Sequence, residues 1–388
     1  MEIDLLDGEM YATDPWSVYA WLRAEAPVYH DAGNKLWGVS RHADVFAIER
    51  NPKLWTNSGG YRPQLPADPS MIGLDDPEHA HRRRMVYQRF TPRGVARYAD
   101  RIRAVTVECI ETALEQGTVD AIPALAAPLP ARVIGWLLGF PEDAWPQLVD
   151  WSATAVYAGG GQRYVTDEAT IASGEFALTV LEMAAERRGC PAGDLLSVWS
   201  NAGEGQPEYD DQHLAHEALL LLVGGAETTR TVIATAIDAL IQNPGQWALL
   251  REDPSRITDA VEEFVRWTTP ILNMCRVPVR DAEIGGVTVP AGEQVLLMYG
   301  SANRDEAVFD RPDAFDVARA PGDHIAFGLG PHFCLGASLA RLELQIFFEE
   351  FVARVGDAGR ADAEGPRILR NAFVRGVTEF PITLTHRR

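Results

Sequence analysis

The 388-residue chain is longer than the usual single-core domain, so its length favours two domains or one large domain with a subsidiary lobe. A formal net charge of −20 argues against partners held by an overall positive field, nucleic acid and anionic membranes above all. With 46% hydrophobic and 23% charged residues it reads as an ordinary soluble globular protein.

The first seven residues, Met1-Glu2-Ile3-Asp4-Leu5-Leu6-Asp7, lack the basic and apolar regions of a targeting segment. The most apolar stretch, 218–226, is far shorter than the roughly 20 residues of a membrane span. A cytoplasmic protein without a membrane anchor is the expectation. Helical patterns follow at 15–25, 77–88, 97–116, 130–138, 167–188, 211–242, 257–267 and 335–355. Strand signals are short: 26–30 with 37–40 around a turn at Ala32-Gly33-Asn34, then 283–289 and 294–299 split by Pro290-Ala291-Gly292. The fold class is mainly α with a small β region, not an alternating α/β chain. Segments 57–69, 158–162 and 203–207 read either as gates to a pocket or as plain surface loops. The four cysteines, Cys109, Cys190, Cys275 and Cys334, lie far apart and fit neither a disulfide framework nor a structural zinc site.

Chemistry concentrates in two places. In Phe327-Gly328-Leu329-Gly330-Pro331-His332-Phe333-Cys334-Leu335-Gly336, glycines crowd one cysteine and a helical pattern starts at once. A helix N-terminus favours an anion and lowers a thiol pKa. Taken alone, Cys334 reads better as a small buried apolar residue; the pattern around it reverses that reading. The second place is Gly224-Gly225-Ala226-Glu227-Thr228 within the 211–242 helix. Two helical glycines cost roughly 1 kcal/mol each relative to alanine. The Thr228 hydroxyl can bond the Gly224 carbonyl four residues back and open the helix. Glu227, beside a run of leucines, must be paired or used.

Phe327, Gly330, His332, Cys334 and Gly336 fill F-x-x-G-x-H-x-C-x-G, which resembles the haem-binding signature of the cytochrome P-450 superfamily of haem-thiolate monooxygenases. Gly224, Gly225, Glu227 and Thr228 are similar to its oxygen-activation motif. The resemblance implies one domain over 1–388, a triangular helical prism with a β-rich lobe mainly from 26–60 and 276–300. It implies haem b between the long distal helix and the cysteine-loop helix, with the Cys334 thiolate on the iron. Phe327, Gly336, Gly224 and Gly225 would contact the cofactor; His79, Arg83, Arg276 and His332 would hold its propionates. Glu227 and Thr228 would relay protons. Glu263 and Arg266 match a buried pair that braces the cysteine loop. The usual third arginine is replaced by Ala314, with Arg311 or Arg319 as substitutes.

The stretch 82–103 holds eight arginines against one acid, Asp100. It reads as a solvated helix face, or, by resemblance, as the docking site of an acidic ferredoxin. Segments 267–276 and 301–303 resemble the actinobacterial branch that hydroxylates cholesterol-like steroids. Met71, Ile72, Val223, Ile271, Leu272 and Phe373 are pocket-lining candidates. A steroid or other lipid is the expected substrate. A macrolide or polyketide tailoring hydroxylase is the alternative, and a ligand-binding haem-thiolate protein without turnover is a further one.

Overall fold

A computed structural model describes residues 2–203, 209–319 and 322–387. Residues 204–207 of the 203–207 segment lie outside them. Helices dominate, and several begin as the sequence dictates. Asp14 caps Pro15–Glu25, where Pro15 is preset for the first turn; Thr166 caps Asp167–Arg187, and Asp210 caps Asp211–Leu222. Gly117 and Gly139, both at positive φ, end Ala99–Gln116 and Pro128–Leu138.

The main core packs Ala99–Gln116, Pro128–Leu138, Ile257–Thr268 and Ala337–Arg354 around the 211–242 run. That run is long and apolar enough to cross a membrane, yet 61% of its most apolar window is buried inside the fold. It is the core helix. Its middle, Val223–Glu227, is π-helical, which separates Asp211–Leu222 from Thr228–Gln242.

The larger sheet has five strands in the order Val28–Asp31, Leu36–Val39, Gln294–Leu297, Met274–Pro278 and Trp55–Thr56. Leu36–Val39 runs parallel to Gln294–Leu297; the other pairs are antiparallel. The expected single strand at 283–289 is instead a hairpin, Ala282–Ile284 with Val287–Val289. Gly285 and Gly286, both at positive φ, turn the chain there. A second sheet joins Thr118–Asp120, Pro381–His386 and Val355–Arg360.

Candidate active site

The cysteine loop owes its shape to glycine. Gly328 and Gly330 both sit at φ +66°, and a Cβ on Gly330 would stand 2.5 Å from the Glu49 carbonyl oxygen. The Cys334 N–H donates to the Phe327 carbonyl at 2.8 Å, closing the loop. Ala337–Arg354 starts directly after, with Gly336 at its N-cap. Burial pushes the Cys334 thiol pKa up; the N–H groups of Gly336 and Ala337, with Arg83 and Arg341, pull the other way. The lowering expected from the helix terminus is therefore outweighed by desolvation. A sulfur so placed keeps its negative charge only against a bound cation. Among the described residues no three His, Cys, Asp or Glu side chains gather as a metal site, so Cys334 would be a sole protein ligand.

Cys334 borders one cavity of about 390 Å³ with Gly224, Gly225, Glu227 and Thr228 of the central helix. The Thr228 hydroxyl donates to the Gly224 carbonyl at 2.7 Å, the bond expected from their spacing. The two glycines then divide their work. A Cβ on Gly224 would meet nothing within 4 Å, so its missing side chain leaves open space for a ligand. A Cβ on Gly225 would stand 2.3 Å from Ile134, so its missing side chain lets Pro128–Leu138 approach. Glu227 is buried; it accepts from the Ser152 hydroxyl at 2.8 Å and makes a short ion pair with Arg230. Burial pushes its carboxyl pKa up, opposed by Arg230 and Ser152.

His79, Arg83, Arg276 and His332 meet at another wall of the cavity. The two imidazoles lie 4.1 Å apart between centroids. His79 Nδ1 lies 3.1 Å from Asp76, while its buried Nε2 has no partner. Arg83 donates to the Phe333 carbonyl at 2.5 Å, and Arg276 pairs with Glu49 at 2.8 Å. Burial, followed by the proximity of His79, Arg276 and Arg83, pushes the His332 pKa down to about 2. Glu49 and Asp76 leave this basic group incompletely matched, and the buried His79 Nε2 needs a hydrogen-bonding partner. These residues fit a flat ligand with carboxylates on its edge, lying between Gly224 and Cys334.

Glu263 and Arg266 are fully buried and doubly bonded, at 2.7 and 2.9 Å. Arg319 takes the place left by Ala314, with its Nε 3.3 Å from Glu263, and the Asp316 N–H donates to the same carboxylate at 3.0 Å. Arg311 is exposed and turns to Asp310 and Asp316 instead.

Phe327 and Gly336 border the cavity, as do Met71, Ile72, Val223, Ile271 and Phe373. Leu272 does not: it is fully buried in a separate cluster with Tyr11, Tyr19 and Leu296. The chain there pairs only through an isolated bridge of Ile271 with Val374, and Leu272 enters the core while its neighbour Ile271 borders the cavity. Sequence reasoning missed Glu49, Ser152 and Arg62, none of which carries a local signal, and it missed the pairing of Arg230 with Glu227. Only the i, i+3 spacing of Arg230 from Glu227 could have flagged that pair.

A family model for cytochrome P450 matches residues 191–354. A steroid C26-monooxygenase of Mycobacterium tuberculosis is 39% identical, with 99% of this chain and 97% of that protein covered. A Mycobacterium marinum cytochrome P450 solved with pseudoionone superposes at TM-score 0.90 and 31% identity, covering 99% of this chain and 98% of that one. A Bacillus megaterium chain solved with testosterone superposes at TM-score 0.88 and 29% identity, covering 97% and 99%.

Proposed function

The chain belongs to the cytochrome P450 family, and on that premise we propose that it hydroxylates a steroid or other lipid-like molecule with O2 and electrons from a ferredoxin. It is a monooxygenase whose haem iron takes a cysteine axial ligand; we assign that ligand to Cys334. When bound, the haem supplies the oxygen-activating chemistry.

The chain's own residues do the rest. Gly336 and Ala337 aim N–H groups at the Cys334 sulfur. His79, Arg83, Arg276 and His332, which line the cavity, would hold the cofactor's carboxylates, and Phe327, Gly336, Gly224 and Gly225 would contact it. Thr228 holds a proton at Oγ1 beside the opened turn. Glu227, its pKa raised by burial, is the carboxyl placed to pass a proton on, with Ser152 and Arg230 fixing its direction. The wall of Met71, Ile72, Val223, Ile271 and Phe373 excludes water and suits an apolar skeleton. The observation that carries the reading is the placing of the Thr228–Gly224 opening and Cys334 on one largely apolar cavity. The relatives' steroid chemistry supports the substrate class, and we place the enzyme in the cytoplasm.

The test is a titration of haem-loaded protein with cholesterol and cholest-4-en-3-one, following the Soret band. A saturable shift is expected. No response to any sterol, alongside a normal reduced carbonyl spectrum, overturns the steroid reading. In turnover with ferredoxin, its reductase and NADH, the Thr228→Ala variant should form several-fold less product per NADH consumed. Coupling equal to wild type removes Thr228 from the relay, and no product from wild type removes the monooxygenation.

A further inference from the structure

One cavity side chain has no task in this scheme. Arg62 lies in the segment between Trp55–Thr56 and Glu78–Phe90 and borders the cavity. Its guanidinium stacks over Phe373, with Cζ 3.3 Å from the ring centroid, and lies 5.0 Å from the Tyr61 ring. Its hydrogen-bond partners are the Met274 sulfur at 3.5 Å, a weak acceptor, and the neutral Tyr61 hydroxyl, and Asp68 acts on it only through its charge. Among the described residues no carboxylate pairs with it. The nearby acid, Asp68, is occupied by the Tyr61 hydroxyl and by the N–H and hydroxyl of Ser70.

The arginines Arg230, Arg266 and Arg276 are matched by Glu227, Glu263 and Glu49, and Arg375, which has no carboxylate partner among the described residues, stands over Trp16 away from the cavity. Arg83 also borders the cavity without a carboxylate, but it stands at the His79 and His332 corner, bonded to the cysteine loop. Arg62 stands instead on Phe373 and Met274, among the apolar residues that face the substrate. Burial lowers its pKa, and an arginine still remains charged. One face of the guanidinium is covered by Phe373, and the N–H groups on its edge that Met274 and Tyr61 do not take are open to a ligand. That edge matches a carboxylate or sulfate through two parallel bonds. A neutral hydrocarbon entering here would strip water from a cation and return no hydrogen bond.

We propose that Arg62 is the specificity-determining residue for a substrate oxyanion, so that this enzyme takes an apolar skeleton carrying one terminal carboxylate or sulfate. The inference deepens the steroid or lipid reading above and rests on it.

Matched pairs test it in haem-loaded protein: lithocholic acid and its methyl ester, cholesterol sulfate and cholesterol, palmitic acid and methyl palmitate, each titrated by the Soret shift. A charged hydrogen-bonded contact predicts that at least one anion binds on the order of tenfold to a hundredfold tighter than its neutral partner. The preference should vanish in Arg62→Gln and persist in part in Arg62→Lys, with ester affinity little changed. The pairs separate carboxylate from sulfate and steroid from fatty chain. Equal binding of anion and neutral partner by wild type overturns the proposal without any variant, even if sterols bind. Equal weakening of both partners in Arg62→Gln assigns the residue a structural role and also overturns it. Loss of haem in both variants would place Arg62 on the cofactor, with the same consequence. Preference for palmitate with no response to any steroid would sink the steroid reading and leave the role of Arg62 standing.

Discussion

At the scale of single residues, the most consequential departure from ordinary chemistry outside the haem site is Glu217. Its side chain is completely buried, with one carboxyl oxygen accepting from the Met71 N–H at 2.9 Å and the other without a partner. Burial pushes its pKa to about 8, against the pull of the Met71 bond and Arg82. The folded chain thus holds a proton there that the unfolded chain, near 4.5, releases. Between those values the native state binds more protons, so this group's contribution to stability is full below about pH 4.5 and is lost as pH rises through 8. At about 1.4 kcal/mol per pKa unit, the loss is a few kcal/mol. Glu217→Gln keeps an acceptor for Met71 and removes the titration. Its melting temperature should exceed that of wild type by a margin that grows from pH 5 to 8 and then levels. A margin independent of pH would show that Glu217 does not titrate in this way.

At the scale of elements, the brace around Glu263 ties Ile257–Thr268 to the chain that leads into the cysteine loop. Arg266 donates onward to the Asn303 and Pro312 carbonyls at 2.9 and 3.0 Å, so one guanidinium holds three segments. Removing it strands a buried carboxylate, which costs about 3–5 kcal/mol. Arg319 lies at the edge of the same carboxylate with a longer contact, and its loss should cost on the order of 1 kcal/mol. Arg319→Ala is therefore expected to retain haem with a small drop in melting temperature, whereas Arg266→Ala loses most of its haem. Equal losses in the two variants would mean that Arg319 is an equal member of the brace. The need for a substitute at Ala314 was legible in the sequence, while the choice between Arg311 and Arg319 was not. That choice depends on how the 310–319 loop folds back on Glu263. The same division runs through the fold. The longer helices were readable, because a run of three or more turns repeats its apolar period. His42–Glu49, Trp145–Ala155 and Pro244–Glu252 were missed, although the last two carry a proline in the first turn, because runs this short repeat the period too few times. The 355–360 and 381–386 strands depend on pairing with distant chain. In the site, the cysteine loop and the Gly224–Thr228 turn are contiguous and were found. Glu49, Ser152 and Arg62 arrive from far along the chain and leave no local mark.

At the scale of the whole molecule, a chain of charge −20 carries a small positive field beside its cysteine loop. The eight arginines of 82–103 are not equally available. Arg82 is buried against Glu78, Arg83 is bonded to Phe333, Arg89 to the Gly193 carbonyl, Arg101 to Glu142, and Arg103 to Glu349 and Glu350. Arg84, Arg93 and Arg97 stay exposed with no carboxylate partner among the described residues. Tyr87 and Phe333 are exposed at 48% and 39%. The Arg83–Phe333 bond brings the helix Glu78–Phe90 against the cysteine loop, so Arg84 shares a surface with the chain that holds Cys334. An acidic ferredoxin meeting that surface would be drawn to these charges and kept off the rest of the molecule by its acidity. Such attraction between exposed charges fades once the Debye length falls to about 8 Å near physiological salt. Reversing Arg84 and Arg93 together to glutamate should raise the KM for ferredoxin roughly tenfold or more at low salt, and salt should then weaken binding less than in wild type. Turnover at saturating ferredoxin should be little changed, because neither residue borders the cavity. An unchanged KM across the salt range would move electron delivery to another face.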